Sequence, residues 1–160
     1  MALYGRMAAR VWLAGEEDAA SVTRLMLGFR DHLGSTAPTD DGMGATVEAL
    51  MQDAATEFLL AAADGEPPAG VCQLRYRLTV WTGACDCWLE DLFVEADARG
   101  AGLGRALVEA AIERARAREC KRIDLDVNED NSGALALYRD MGFSTEPKGE
   151  VRTLYAMRRL

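Results

Sequence analysis

A chain of 160 residues has the size of one domain and can bury an ordinary core without disulfide or metal staples. Apolar residues make up 49% and charged residues 28%, and no apolar run approaches the roughly 20 residues of a membrane helix, so the composition is that of a soluble globular protein. The net charge of −8 excludes nucleic acid as a partner, because phosphate binding needs concentrated Lys and Arg, and favours cationic ligands instead.

Met1 to Arg6 lacks the apolar core of a signal peptide, and Cys72, Cys85, Cys87 and Cys120 form no secreted framework, so a reducing, cytoplasmic location is expected. Cys85-x-Cys87 invites a zinc reading, but zinc takes about four ligands and the only histidine, His32, lies far away in sequence. No metal is therefore expected. Two alternate cysteines on a strand read as small half-buried hydrophobes, and His32, at a helix end, reads as a solvated or capping residue rather than the partner of a nucleophilic cysteine.

In chain order, Ala9 to Ala14 reads as a strand. Glu16-Glu17-Asp18 then opens a helix to about Leu33, with Ala19, Val22, Leu25, Met26 and Phe29 as its apolar stripe. Gly34 to Gly44 is too rich in Gly and Pro for regular structure and reads as a flap carrying Asp40 and Asp41. A second helix is expected over Thr46 to Ala55. Glu57 to Ala63 and Ala69 to Val80 read as antiparallel strands about an Asp64-Gly65 turn, and Cys85 to Val94 as the next strand. Arg122 to Val127 alternates cleanly, which makes a right-handed strand–helix–strand crossover with a parallel pair. Asn131 to Met141 is a short helix stopped by Gly142, and Phe143 to Glu146 with Val151 to Arg158 forms a closing hairpin around Pro147-Lys148-Gly149. The mixed order predicts an α+β (α/β) fold with a mostly antiparallel sheet and a central parallel βαβ unit.

The chain is organised around Leu89 to Gly104. A β-favouring run ends at Asp97-Ala98, and Arg99-Gly100-Ala101-Gly102-Leu103-Gly104-Arg105 then leads straight into a helix with Leu103, Ala106, Leu107, Ala110 and Ala111 on one face. Glycines let the backbone turn with its N–H groups inward, and the helix N-terminus adds about half a positive charge, so a pyrophosphate is the expected guest. The spacing is not the G-x-G-x-x-G of a dinucleotide fold, and no Lys-Ser or Lys-Thr follows as a P-loop requires.

Arg99-x-x-Gly102-x-Gly104 resembles the cofactor signature of the GNAT acetyltransferase superfamily. A second motif, Asn131-x-x-Ala134-x-x-x-Tyr138-x-x-x-Gly142-Phe143, is similar to that family's later helix. The resemblance is firm from Trp88 to Phe143 and implies a single GNAT N-acetyltransferase domain over 1–160 that uses acetyl-CoA. It implies that Leu92, Phe93 and Val94 meet pantetheine where their strand splays from its parallel neighbour, that Arg99 through Arg105 cradle the pyrophosphate, that Asn131 bonds the pantetheine arm, and that Tyr138 protonates the departing sulfur. Trp88-Leu89-Glu90-Asp91-Leu92-Phe93-Val94 further resembles the Glu-Asp-aromatic strand of polyamine and diamine acetyltransferases, which implies Glu90 as base and Asp91 as a binder of the cationic amine. An amine of pKa near 10.4 is almost wholly protonated at neutral pH, so something must take its proton. Strand neighbours point to opposite faces, so Glu90 and Asp91 can line one site only at a bulge. The expected reaction is direct attack of a small primary amine on acetyl-CoA. A protein lysine or N-terminus as acceptor, a non-catalytic acyl-CoA-binding module and a homodimer are left open.

Overall fold

The computed structural model describes residues 9–147 and 149–160, in two compact units, one ending at Asp126 and one running from Val127 to Leu160. The first unit contains a five-stranded sheet of order β1-β2-β3-β4-β5, formed by β1 (Arg10–Leu13), β2 (Thr56–Ala62), β3 (Gly70–Thr79), β4 (Ala84–Val94) and β5 (Ile123–Asp124). Every neighbouring pair is antiparallel except β4 and β5, whose parallel pairing supplies the mixed sheet that the strand–helix–strand order predicts.

Helices α1 (Ala19–His32) and α2 (Asp40–Met51) lie against one face, where Val22, Leu25, Met26 and Val47 pack with Phe58, Leu60, Val71 and Phe93. Helix α3 (Leu103–Ala117) covers the other face through Leu103, Leu107, Val108, Ala111 and Ala115, all buried. Each fully buried leucine of this set contributes about 1.5–3 kcal/mol, so the two helix layers are the main source of stability. Gly70 lets α3 come close to the sheet. A Cβ there would stand 3.1 Å from the Leu107 Cδ1 atom.

One polar cluster ties α3 to the sheet. Glu57 on β2, itself buried, accepts the Tyr76 hydroxyl at 2.9 Å, the Arg114 Nε and Nη2 groups at 2.9 and 2.6 Å, and the Arg118 Nε at 3.0 Å. Burial alone would raise the Glu57 carboxyl, but the hydrogen bonds from Arg114 and Tyr76 and the charges of both arginines outweigh it and hold the pKa below the ordinary value.

Three expectations need correction. Helix α2 begins at Asp40 rather than Thr46, because the Thr39 side chain caps it by accepting the Gly42 N–H at 3.2 Å, and Asp40 and Asp41 fall in the favoured first turn. The flap therefore shrinks to the segment before Asp40, and Asp40 is engaged with Arg30 at 2.7 Å. The strand expected over Arg122 to Val127 is reduced to Ile123–Asp124. The closing hairpin is absent among the described residues: 143–147 and 149–160 carry no strand, and Lys148 lies outside them. Alternation alone does not make a strand where no neighbouring backbone accepts its hydrogen bonds.

Candidate active site

Strand β4 carries the candidate residues Glu90, Asp91, Leu92, Phe93 and Val94. Its pairing with β5 is confined to Cys87 with Ile123 and Trp88 with Asp124. Beyond Trp88 the ladder with β5 ends, so among the described residues no strand pairs with the β5-facing edge of Leu92, Phe93 and Val94.

The register between β3 and β4 slips at one point. Gln73 pairs with Asp91 while Leu74 pairs with Leu89, so Glu90 is the extra residue of a bulge. The bulge frees Glu90 and Asp91 from strict alternation. Glu90 is exposed, whereas Asp91 is partly buried and by register shares the Phe93 side of the sheet. Burial first, then the negative charges of Glu90 and Asp126, pushes the Asp91 carboxyl from its ordinary 3.8 to about 6. Sequence reading missed Asp126. Its signal was its place in the alternating run after α3, at the strand end where the parallel pair diverges.

The loop after β4 turns through left-handed glycines, Gly100 at φ 81° and Gly102 at φ 87°, with Gly102 as the N-cap of α3. A Cβ at either position would meet open space, so the left-handed backbone and not crowding demands glycine there. Among the described residues the N–H groups of Gly100, Ala101, Gly102, Leu103 and Gly104 have no acceptor. A row of unpaired N–H groups at a helix N-terminus can bind a diphosphate. Arg99 donates its Nε–H to the Val94 carbonyl at 3.0 Å, which fastens the loop to the end of β4. A hollow of about 590 Å³ beside the loop is lined by Phe93, Ala101 and Leu103 but also by Glu66, Glu95 and Asp97, and these carboxylates make it a poor seat for phosphate. The N–H row itself is the better one.

In the second unit, α4 (Ser132–Asp140) is capped by Asn131, whose Oδ1 accepts the Ala134 N–H at 3.1 Å, so that the amide's N–H₂ is the part suited to bonding a ligand. Tyr138 is buried, with its ring edge-on to Phe143 at 5.7 Å between centroids. Cys87 is buried and Cys85 half-buried. His32 is exposed, its ring 6.1 Å from that of Phe93. Among the described residues no cluster of His, Cys, Asp and Glu is arranged to hold a metal, and no helix is long and apolar enough to cross a membrane.

Known proteins resemble this chain in sequence and in fold. The thialysine N-epsilon-acetyltransferase of Sus scrofa is 34% identical over 85 residues, covering 50% of this chain and 49% of that enzyme. The peptidyl-lysine N-acetyltransferase YjaB of Salmonella typhimurium is 29% identical over 126 residues, 75% of this chain and 77% of that one. The chain thus spans about half of the pig enzyme, and it spans 37% and 17% of two other curated relatives. The structure of the aminoglycoside N-acetyltransferase AAC(6')-Iy in complex with CoA superposes with a TM-score of 0.77 at 18% identity over the whole of both chains, a likeness of fold. The model of the acetyltransferase (GNAT) family matches residues 21–143, on both sides of Asp126, and the chain belongs to that family.

Proposed function

We propose that the protein is an N-acetyltransferase that moves acetyl from acetyl-CoA to a small cationic primary amine. One observation carries this reading: a single strand leads through a short loop into a row of unpaired N–H groups and bears, directly before its Leu92–Val94 edge, a carboxyl raised to about 6. The first suits a diphosphate and the second suits an amine's proton.

Gly100 to Gly104 bind the pyrophosphate through backbone N–H groups, with Arg99 and Arg105 supplying positive charge. The β5-facing edge of Leu92 to Val94 holds the pantetheine arm. The amine nitrogen forms its bond to the thioester carbonyl carbon as the carbon–sulfur bond breaks. The amine's proton goes to a carboxylate of the Glu90-Asp91 pair, and the departing sulfur takes one from the Tyr138 hydroxyl. Of the two carboxylates, Asp91 is the better proton acceptor, because a base poised near the working pH both accepts the proton and is free to take it. Glu90 keeps Asp91 raised and lends charge for the cation. The roles implied by the resemblance are thereby exchanged. A cytoplasmic location is part of the proposal, supported by Cys72, Cys85, Cys87 and Cys120 all being free thiols.

A protein lysine is the second reading, supported by the Salmonella relative, a peptidyl-lysine N-acetyltransferase. Release of free thiol from acetyl-CoA, measured against diamines, polyamines, lysine and lysine-containing peptides, tests both. Turnover of small amines well above peptides is expected. Turnover of peptides alone replaces the first reading by the second, and binding of acetyl-CoA without turnover of any amine makes the protein an acyl-CoA-binding module.

A further inference from the structure

Past the carboxylates, on the side away from the glycine loop, lies a hollow of about 280 Å³ lined by Arg75, Tyr76, Arg77, Trp88 and Glu90. The register explains its contents. Arg75 pairs across the strands with Trp88 and Arg77 with Asp86, so two arginines two residues apart on β3 and the Trp88 ring face the same way. The Arg77 guanidinium stands over Trp88 at 5.7 Å from the ring centroid. Asp86, its neighbour across the strands, is instead engaged by the Arg122 Nε at 3.0 Å. Among the described residues no carboxylate pairs with Arg77, and Arg75 has only a loose pair with Asp53 at 3.7 Å. Arg77, stacked on Trp88, is thus the guanidinium of the hollow that has no carboxylate of its own among the described residues, and Arg75 is held only loosely, so both have donors to offer an anion in a protein of net charge −8.

An acidic chain gains little by concentrating positive charge beside a site meant for a cation, since like charge there repels the substrate. Guanidiniums are suited instead to carboxylates, which they bind through paired N–H donors. We propose that Arg75 and Arg77 bind an anionic group on the acceptor, so that the substrate is an amine carrying a carboxylate several bonds away, an amino acid with a terminal amine rather than a diamine or polyamine. This inference rests on the proposed acetyltransferase function and narrows its acceptor. Asp91 and Trp88 lie opposite Gln73 and Arg75, two residues apart on β3, so the bulge leaves about 7 Å between them at the rise of a strand. That span matches the reach of a lysine-like side chain between its amine and its carboxylate. A diamine of the same length would present its second ammonium to the two arginines.

Steady-state kinetics with lysine, lysinamide and 1,5-diaminopentane separate the possibilities, because the three share one amine chain and differ in the far group. The native enzyme should show kcat/KM for lysine at least about tenfold above the other two, the scale of one charge-assisted contact. R77Q should raise KM for lysine about tenfold with little change in kcat and bring the three substrates close together, while R77K should keep part of the preference. R75Q should act in the same direction. Both arginines project from the sheet into solvent, and unchanged melting of the variants verifies that they fold. If 1,5-diaminopentane equals lysine in the native enzyme, or if both glutamine variants leave the ratio unaltered, the anion site is refuted while the acetyltransferase reading stands. If none of the three is acetylated, the small-amine reading falls and this inference with it.

Discussion

Glu57 on β2 and Asp91 on β4 are carboxylates of one sheet, both drawn largely out of water, and they respond to burial in opposite directions. Glu57 is surrounded by donors: Tyr76, Arg114 and Arg118 supply four hydrogen bonds, and its pKa is lowered despite its desolvation. Asp91 sits at a bulge opposite Gln73 with Glu90 and Asp126 as its charged neighbours, and its pKa rises to about 6. The difference is in partners, not depth. A buried carboxylate with cations around it is a rivet between α3 and the sheet. One left among other carboxylates is a titrating group, and such groups concentrate where protons are exchanged.

Removing each carboxyl without changing its size tests that contrast, and the largest effect belongs to Asp91. D91N should lower kcat by about 10²–10⁴, the usual contribution of a general base, while leaving the melting temperature equal or higher because a disfavoured buried charge is gone. In the native enzyme kcat/KM should rise with pH through an apparent pKa near 6, since Asp91 must be unprotonated to accept a proton. That limb should vanish in D91N. A variant with full activity, or one whose pH profile keeps the limb, would return the base role to Glu90.

E57Q should do the reverse, costing about 3 kcal/mol of stability in denaturant unfolding and leaving kcat of the folded enzyme unchanged. The magnitude belongs near the low end for a broken buried ion pair, because Arg114 and Arg118 are each about one-third exposed and can turn toward water. A loss under about 1 kcal/mol would show that packing of α3 through Leu103, Leu107 and Val108, not the ionic cluster, holds that helix in place.

The sequence disclosed these two regions unequally. The glycine loop and its helix were legible because left-handed turns and helix caps leave a local residue signature, and Gly100, Gly102 and the Leu103-Leu107-Ala111 stripe lie within twelve positions. The glutamate rivet was not legible, since Arg114 and Arg118 lie 57 and 61 positions from Glu57. Asp126 and the Arg75–Trp88 pairing are likewise products of strand register. The bulge at Glu90 is a one-residue slip with no composition signal, and it decides whether two adjacent carboxylates can share a site. Helix α2 was read as starting six residues late, because Gly42 and Gly44 argue for a loop, and as ending at Ala55 rather than Met51. The Thr39 cap and the acidic first turn outweigh the roughly 1 kcal/mol that each glycine costs a helix interior.

The smallest effect, and the one that sets the two carboxyls directly against each other, is the pH dependence of stability. Asp91 has a folded pKa of about 6 against an ordinary 3.8, so the folded state binds its proton more tightly. Its contribution is complete below pH 3.8 and is lost as pH rises to about 6. At about 1.36 kcal/mol per unit the shift bounds the loss on the order of 3 kcal/mol, and water reaching the carboxylate reduces it. Glu57 has a folded pKa below its ordinary 4.5, so its contribution is present above that value and is lost as pH falls through the folded pKa. Urea midpoints measured from pH 3 to 7 should therefore rise more steeply between about 4 and 6 in D91N than in the native protein. In E57Q the acid-side loss below about 4.5 should flatten instead. Parallel curves for native and D91N across that window would mean that Asp91 titrates as an ordinary surface carboxylate, and the contrast between the two buried groups would disappear with it.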